Sequence, residues 1–155
     1  MSKFKTEIKL KGTVHYEVRD GVAVLTVDNP PVNPLSDGVR AGLFEGIANA
    51  EADTNVVGVV VTGKGRAFIA GADISEFGGE GDGHGLHTVF KNLEFCSKPV
   101  VAAINGLALG GGLETALCCN YRIASPSAFV GLPEVLRASP GRVSVRVELA
   151  VERFR

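Results

Sequence analysis

A single-domain α/β fold is predicted by three features of this 155-residue chain. Strand-like and helix-like apolar patterns alternate along it, as they do where helices cover a sheet. Hydrophobic residues make up 45% of the chain, ample for one core at this length. Glycines cluster where an apolar strand gives way to a helix, at Gly110-Gly111-Gly112.

The elements follow in order. Val14, Tyr16 and Val18 alternate with polar residues, the period-2 pattern of a strand. Asp20-Gly21 signals a hairpin into a second strand, Val22 to Val27. Asn29-Pro-Pro-Val-Asn-Pro34 breaks that run, because proline removes ladder donors. Ser36 is then placed to cap a helix carrying Val39, Leu43, Ile47 and Ala50 at helical spacing. Val56 to Thr62 reads as a buried strand, followed by a small-residue loop from Ala70 to Asp73. Gly78 to Gly85 is glycine-rich and carries no core residues. Leu86, Val89, Phe90 and Leu93 mark a second helix, ended by Lys98-Pro99. Val100 to Ile104 is a buried strand, Leu113 to Cys119 a short apolar helix, and Tyr121 to Ala124 a further strand.

Composition narrows the function classes. A net charge of −1 creates no field that would gather nucleic acid or an anionic membrane. No apolar run is long enough to span a bilayer, and no signal peptide is recognised. Lys3, Lys5, Lys9 and Lys11 read as a solvated basic tail over residues 1–12. Cys96 and the adjacent pair Cys118-Cys119 give no disulfide framework, so a reducing compartment is expected, with the pair packing a helix. His84 and His87 make a weak metal case by spacing alone, and no metal is expected.

The chemistry concentrates in Leu107-Ala-Leu-Gly-Gly-Gly-Leu-Glu114. Glycines there let a ligand approach bare backbone N–H groups, at a helix start that favours negative charge. Glu114 falls in the first helical turn among apolar residues, where desolvation is expected. A glycine-built oxyanion site beside such a carboxylate suits acid–base chemistry on a carbonyl compound. Dinucleotide binding is disfavoured because Gly106 to Gly112 lacks the G-x-G-x-x-G order. Gly63-Lys-Gly-Arg66 likewise fails as a P-loop. The competing reading of the triple glycine is a tight turn that lets helix and strand pack closely. Taken singly, Glu114 also reads as a surface helix residue and Glu134 as a solvated turn residue.

Three motifs in order turn these fragments into a resemblance: Ala67-Phe-Ile-Ala-Gly-Ala-Asp-Ile74, Asn105-Gly-Leu-Ala-Leu-Gly-Gly-Gly-Leu-Glu114, and Gly131-Leu-Pro-Glu134. With Asn29-Pro-Pro-Val-Asn33 and Glu76-Phe77, they resemble the enoyl-CoA hydratase/isomerase (crotonase) family. The nearest likeness is to the hydratase/isomerase module of multifunctional fatty-acid β-oxidation enzymes, over about Val14 to Val135. The resemblance implies a spiral of repeated ββα units, usually assembled as trimers or pseudo-trimers. It implies backbone N–H donors at Ala72 and Gly111 for a thioester oxygen, and catalytic carboxylates at Glu114 and Glu134. Substrate contacts are implied at Ala70, Ala72, Asp73, Ile74, Gly111 and Pro133. Both glutamates together point to hydration of a 2-trans-enoyl-CoA, where a water is held between them. The alternatives are a Δ3-Δ2-enoyl-CoA isomerase using one glutamate, and an inactive fragment of such an enzyme. No separate cofactor is implied, coenzyme A being part of the substrate. Intact relatives imply a homo-oligomer or a multifunctional enzyme, in the cytoplasm or alternatively the peroxisome.

After Val135 the sequence leaves the family pattern. The expected Gly-rich loop is replaced by a stretch carrying Arg137, Arg142, Arg146, Arg153 and Arg155. This reads as a truncated or frame-shifted end: a core over 13–135 without its C-terminal helical region, then an atypical tail over 136–155.

Overall fold

The computed structural model describes residues 11–73 and 85–132. Strands β1 (Thr13–Arg19) and β2 (Val22–Asp28) form the expected hairpin, with Arg19 opposite Val22. Asp20 and Gly21 both take positive φ, the backbone that a two-residue hairpin turn demands. In β2 the alternation is complete: Ala23, Leu25 and Val27 are buried and their neighbours are not.

Helix α1 spans Asp37–Ala52 and buries Val39, Leu43, Ile47 and Ala50, the predicted stripe. Ser36 is its N-cap residue, but the hydroxyl does not cap. That hydroxyl donates to the Lys11 carbonyl and accepts from Asn29 Nδ2 instead. Strand β3 runs Gly58–Gly63, two residues later than the apolar run suggests. Val56 is buried but turns back, its N–H donating to the Asp53 carbonyl.

From β3 onward the chain repeats a ββα unit. Strand β4 (Ala67–Ile69) precedes helix α2 (Leu86–Glu94). Strands β5 (Val100–Ile104) and β6 (Leu107–Leu109) precede helix α3 (Gly111–Leu117). Strands β7 (Tyr121–Ala124) and β8 (Phe129–Gly131) begin the next unit. Each unit gives its first strand to a five-stranded sheet, ordered β1-β2-β3-β5-β7, and its second to a three-stranded sheet, ordered β4-β6-β8. All pairings after the first hairpin are parallel. This is the repeated ββα layout that the resemblance implies.

Asn105 makes the corner between the two sheets. Its Oδ1 accepts from the Gly63 N–H at 3.1 Å, and its Nδ2 donates to the Gly65 carbonyl at 3.0 Å. A Cβ at the following Gly106 would lie 2.0 Å from the Arg66 carbonyl oxygen, so only glycine fits there. The core fills the space between the sheets and helices, with Phe68, Leu25, Leu35, Leu43 and Ile104 among its largest side chains.

Two local features lead to predictions. Lys64 Nζ and His15 Nε2 both meet Asp28 Oδ2, at 2.8 and 2.7 Å, and hold its carboxyl below the ordinary range, Lys64 most strongly. A folded-state pKa below the unfolded one stabilises the fold above the unfolded pKa, and that gain disappears as pH falls through the folded value. Asp28→Asn is therefore expected to flatten the acid side of the stability profile. Urea midpoints measured from pH 6 down to pH 3 check this, and parallel profiles would contradict it. The second feature is Cys119, which is 4% exposed and whose thiol is pushed up to about 12 by burial. Its Sγ donates to the Thr115 carbonyl. Since the thiolate is the reactive form, Cys119 is expected to resist Ellman's reagent at pH 8 until the chain unfolds. The half-buried Cys96 and Cys118 should react first. Equal rates for all three thiols in the native chain would refute this.

Candidate active site

Three glycines build the turn from β6 into α3, each for its own reason. Gly110 takes φ 50 and ψ −122, a conformation that side chains rarely permit. Its N–H donates to the Gly131 carbonyl at 2.9 Å, tying the end of β6 to the end of β8. A Cβ on Gly112 would sit 1.8 Å from the Ile69 carbonyl oxygen, so glycine lets α3 press against β4. The tight-packing reading of the triple glycine is therefore correct for Gly112.

Gly111 is different, because the nearest atoms to its bare face include functional groups. A Cβ there would lie 3.7 Å from the Ala72 amide nitrogen and 3.8 Å from Glu114 Oε2. Helix α3 begins at Gly111, two residues earlier than its apolar run indicates, so the Gly111 N–H is among the first-turn amides without an intrahelical acceptor. Thr115 Oγ1 donates to the Gly111 carbonyl at 2.7 Å and steadies that turn.

The Ala72 amide is aimed by its neighbours. Leu35 N–H donates to the Gly71 carbonyl at 2.8 Å. In a trans peptide the carbonyl and the next N–H point in opposite directions. The Ala72 N–H therefore points away from the Leu35 backbone. One residue earlier, the Ala70 N–H donates to the Val32 carbonyl at 3.1 Å. The loop from Ala70 to Asp73 is thus clamped by the segment around Val32 to Leu35. That segment is anchored in turn by Asn33, 2% exposed, whose Nδ2 donates to the Lys64, Ala67 and Phe68 carbonyls.

Topology explains why the pieces meet. Ala70–Asp73 follows the carboxyl end of β4, Gly110–Gly112 follows that of β6, and Leu132 follows that of β8. These three parallel strands are neighbours, so their carboxyl ends open on one side, where ligands of parallel sheets gather. Ile74, Pro133 and Glu134 lie outside the described residues. Asp73 is within them, and its carboxylate pairs with Lys11 Nζ at 2.6 Å.

Two expectations are corrected. Glu114 is exposed, not desolvated among apolar neighbours. Leu113 and Ala116 turn into the core, whereas Glu114 shares the outer stripe of α3 with Leu117, 47% exposed. Lys11 is exposed, as a solvated tail residue would be, but it is tethered to the fold. Its Nζ reaches Asp73, and its carbonyl accepts from the Ser36 hydroxyl and the Gly38 N–H. Sequence reasoning also missed the clamping roles of Asn33 and Leu35. The buried polar pair Asn29 and Asn33 around two prolines was the available signal.

A cavity of about 440 Å³ is lined by Cys96, Ser97, Lys98, Pro99, Asn120 and Tyr121, at the amino ends of β5 and β7. Among the described residues no group of three His, Cys, Asp or Glu side chains is arranged to hold a metal. Among them, too, no helix is long and apolar enough to cross a membrane.

The family pattern of the enoyl-CoA hydratases/isomerases matches residues 17–139. A peroxisomal bifunctional enzyme of Danio rerio is 48% identical over 118 residues, which cover 76% of this chain and 16% of that protein. A probable enoyl-CoA hydratase of Bacillus subtilis (strain 168) is 44% identical over 121 residues, covering 74% of this chain and 47% of the other. The crystal structure of an enoyl-CoA hydratase from Bacillus anthracis superposes with a TM-score of 0.71 at 33% identity, covering 83% of this chain and 53% of that one. The chain belongs to the enoyl-CoA hydratase/isomerase family. It spans about half the length of the single-function relatives named here and a smaller share of the bifunctional one.

Proposed function

We propose that this chain carries the oxyanion site and both catalytic carboxylates, Glu114 and Glu134, of an enoyl-CoA hydratase that adds water to 2-trans-enoyl-CoA in fatty-acid β-oxidation. The observation that carries the reading is the convergence at Gly111, with the Ala72 amide nitrogen 3.7 Å and Glu114 Oε2 3.8 Å from the position of its missing Cβ.

Hydration begins with a conjugated thioester. As the water oxygen bonds to C3, electron density moves through C2 to the thioester oxygen, which becomes enolate-like. The N–H groups of Ala72 and Gly111 hold that oxygen without titrating and without reorganising, and one such donor is typically worth roughly 2.7–4 kcal/mol in the transition state. The water must lose a proton, and C2 must gain one, so that H and OH are both delivered. Glu114 is one carboxylate for this exchange and Glu134 is the second. Strand β8 supports the pairing, because it ends at Gly131 beside Gly110 and brings the chain to the same sheet end three residues before Glu134. Ala70, Asp73, Ile74 and Pro133 complete the substrate contacts. Coenzyme A enters as part of the substrate, with no separate cofactor.

The exposure of Glu114 does not oppose this role, since a carboxylate that handles water must be reachable by it. For location, the name of the Danio rerio relative assigns that protein to the peroxisome, which supports the peroxisomal alternative for this chain. The same name supports a place beside a second activity in a multifunctional enzyme, the alternative being a homo-oligomer.

Crotonyl-CoA hydration, followed by loss of the conjugated thioester absorbance, tests the proposal directly. Turnover that is abolished by Glu114→Gln supports it. Isomerisation of a 3-enoyl-CoA without hydration would replace it with the one-glutamate reading. Cooperative unfolding and CoA-thioester binding with neither reaction would identify a non-catalytic fragment.

A further inference from the structure

We propose that Lys11 is a positioning residue for the Ala72 amide, acting as a strap between the two segments that aim it. The inference rests on the hydratase reading only for its catalytic consequence. The strap itself rests on contacts.

Lys11 works through both its side chain and its backbone. Its Nζ meets Asp73 Oδ2 at 2.6 Å, immediately after Ala72. Its carbonyl accepts from the Gly38 N–H at 3.1 Å and from the Ser36 hydroxyl. Ser36 also accepts from Asn29 Nδ2 at 3.1 Å, and Leu35, one residue before it, holds the Gly71 carbonyl. The Gly71–Ala72 peptide is therefore held on one side by Leu35, whose segment hangs on the Lys11 backbone. On the other side it adjoins Asp73, which the Lys11 ammonium holds. The Asp73 side chain is only 8% exposed while that of Lys11 is 57% exposed. A nearly buried carboxylate gains from a fixed cation, and its loss would draw the loop toward water.

A peptide plane rotated by even a modest angle carries its N–H off the oxyanion. Such a loss falls on the transition state more than on ground-state binding, so kcat is lowered and KM is little changed.

The test compares Lys11→Met and Lys11→Arg in the full chain. Hydrogen exchange of the 70–73 loop is measured without ligand, and crotonyl-CoA hydration is measured alongside. Lys11→Met should speed loop exchange by about tenfold, with exchange elsewhere unchanged, as expected for a local opening. It should also lower kcat by about tenfold with KM within about twofold. Lys11→Arg keeps the cation and should restore both. Unchanged loop exchange in Lys11→Met overturns the strap, whatever the activity. An Arg variant as impaired as the Met variant also overturns it, since the charge would then be irrelevant. Accelerated loop exchange in a chain that never hydrates crotonyl-CoA upholds the strap and overturns the hydratase reading instead.

Discussion

Gly112→Ala is expected to cost the chain much of its stability, whereas Gly111→Ala is expected to leave it folded. The two positions are adjacent and both buried, so burial does not separate them. What separates them is the atom each new methyl would meet. At Gly112 it would lie 1.8 Å from the Ile69 carbonyl oxygen and 2.6 Å from its carbon. Those are backbone atoms of β4 and have no rotamer to retreat into, so helix and strand must part. At Gly111 it would meet Leu35 Cδ1 at 3.0 Å, the far end of a side chain that turns aside with a small shift. Overpacking of a core commonly costs about 1–3 kcal/mol. Displacing α3 from β4 belongs at or above the top of that range, against a total stability on the order of 5–15 kcal/mol. Urea unfolding of both variants decides the matter. Equal midpoints would show that the α3–β4 contact yields more easily than its geometry implies.

Glu114→Gln is expected to lower crotonyl-CoA hydration by roughly 10²–10⁴-fold, the range for a lost acid–base group. Each tenfold corresponds to about 1.4 kcal/mol of barrier, so the loss amounts to roughly 3–6 kcal/mol. Glutamine preserves length and hydrogen-bonding shape but neither takes nor gives a proton near neutral pH. Affinity for a CoA thioester should change far less, because Glu114 is assigned to the water and not to the carrier. Stability should hardly move, since Glu114 is exposed on the outer stripe of α3. A variant that hydrates at the wild-type rate would remove Glu114 from the mechanism. A variant that loses thioester binding in proportion to its rate would reassign it to binding.

Much of the architecture was legible from periodicity. The α1 stripe, the β1–β2 hairpin, the helix at Leu86 and the strands at Val100 and Tyr121 are long or strongly patterned, and each forms where its pattern lies. Strands β4 and β8 escaped because three residues are too few to show a period. The sheet they form with β6 is nevertheless the one whose carboxyl ends make the candidate site. Motif order supplied what periodicity lacked, pointing to Ala72, Gly111 and Glu114 as candidates.

Local sequence singled out the residues proposed for the chemistry: backbone amides bared by small residues, and a carboxylate one helical turn further on. It also determined the family, because motif order is a property of the chain alone. The tertiary structure decided how those groups are held. Glycines that look alike in sequence separate into a turn former, a helix start facing the Ala72 amide and the Glu114 carboxylate, and a packing contact, according to the atoms opposite each. Glu114 faces outward because packing of α3 against α2, β4, β5 and β6 chooses which stripe is inner, and a seven-residue helix has too little pattern to announce that choice. Lys11 and Asn33 acquire their roles from partners far away in sequence, at Asp73 and at Ala67. Hydrogen bonds between distant segments form only once the sheets have brought their strand ends together, so no local pattern records them.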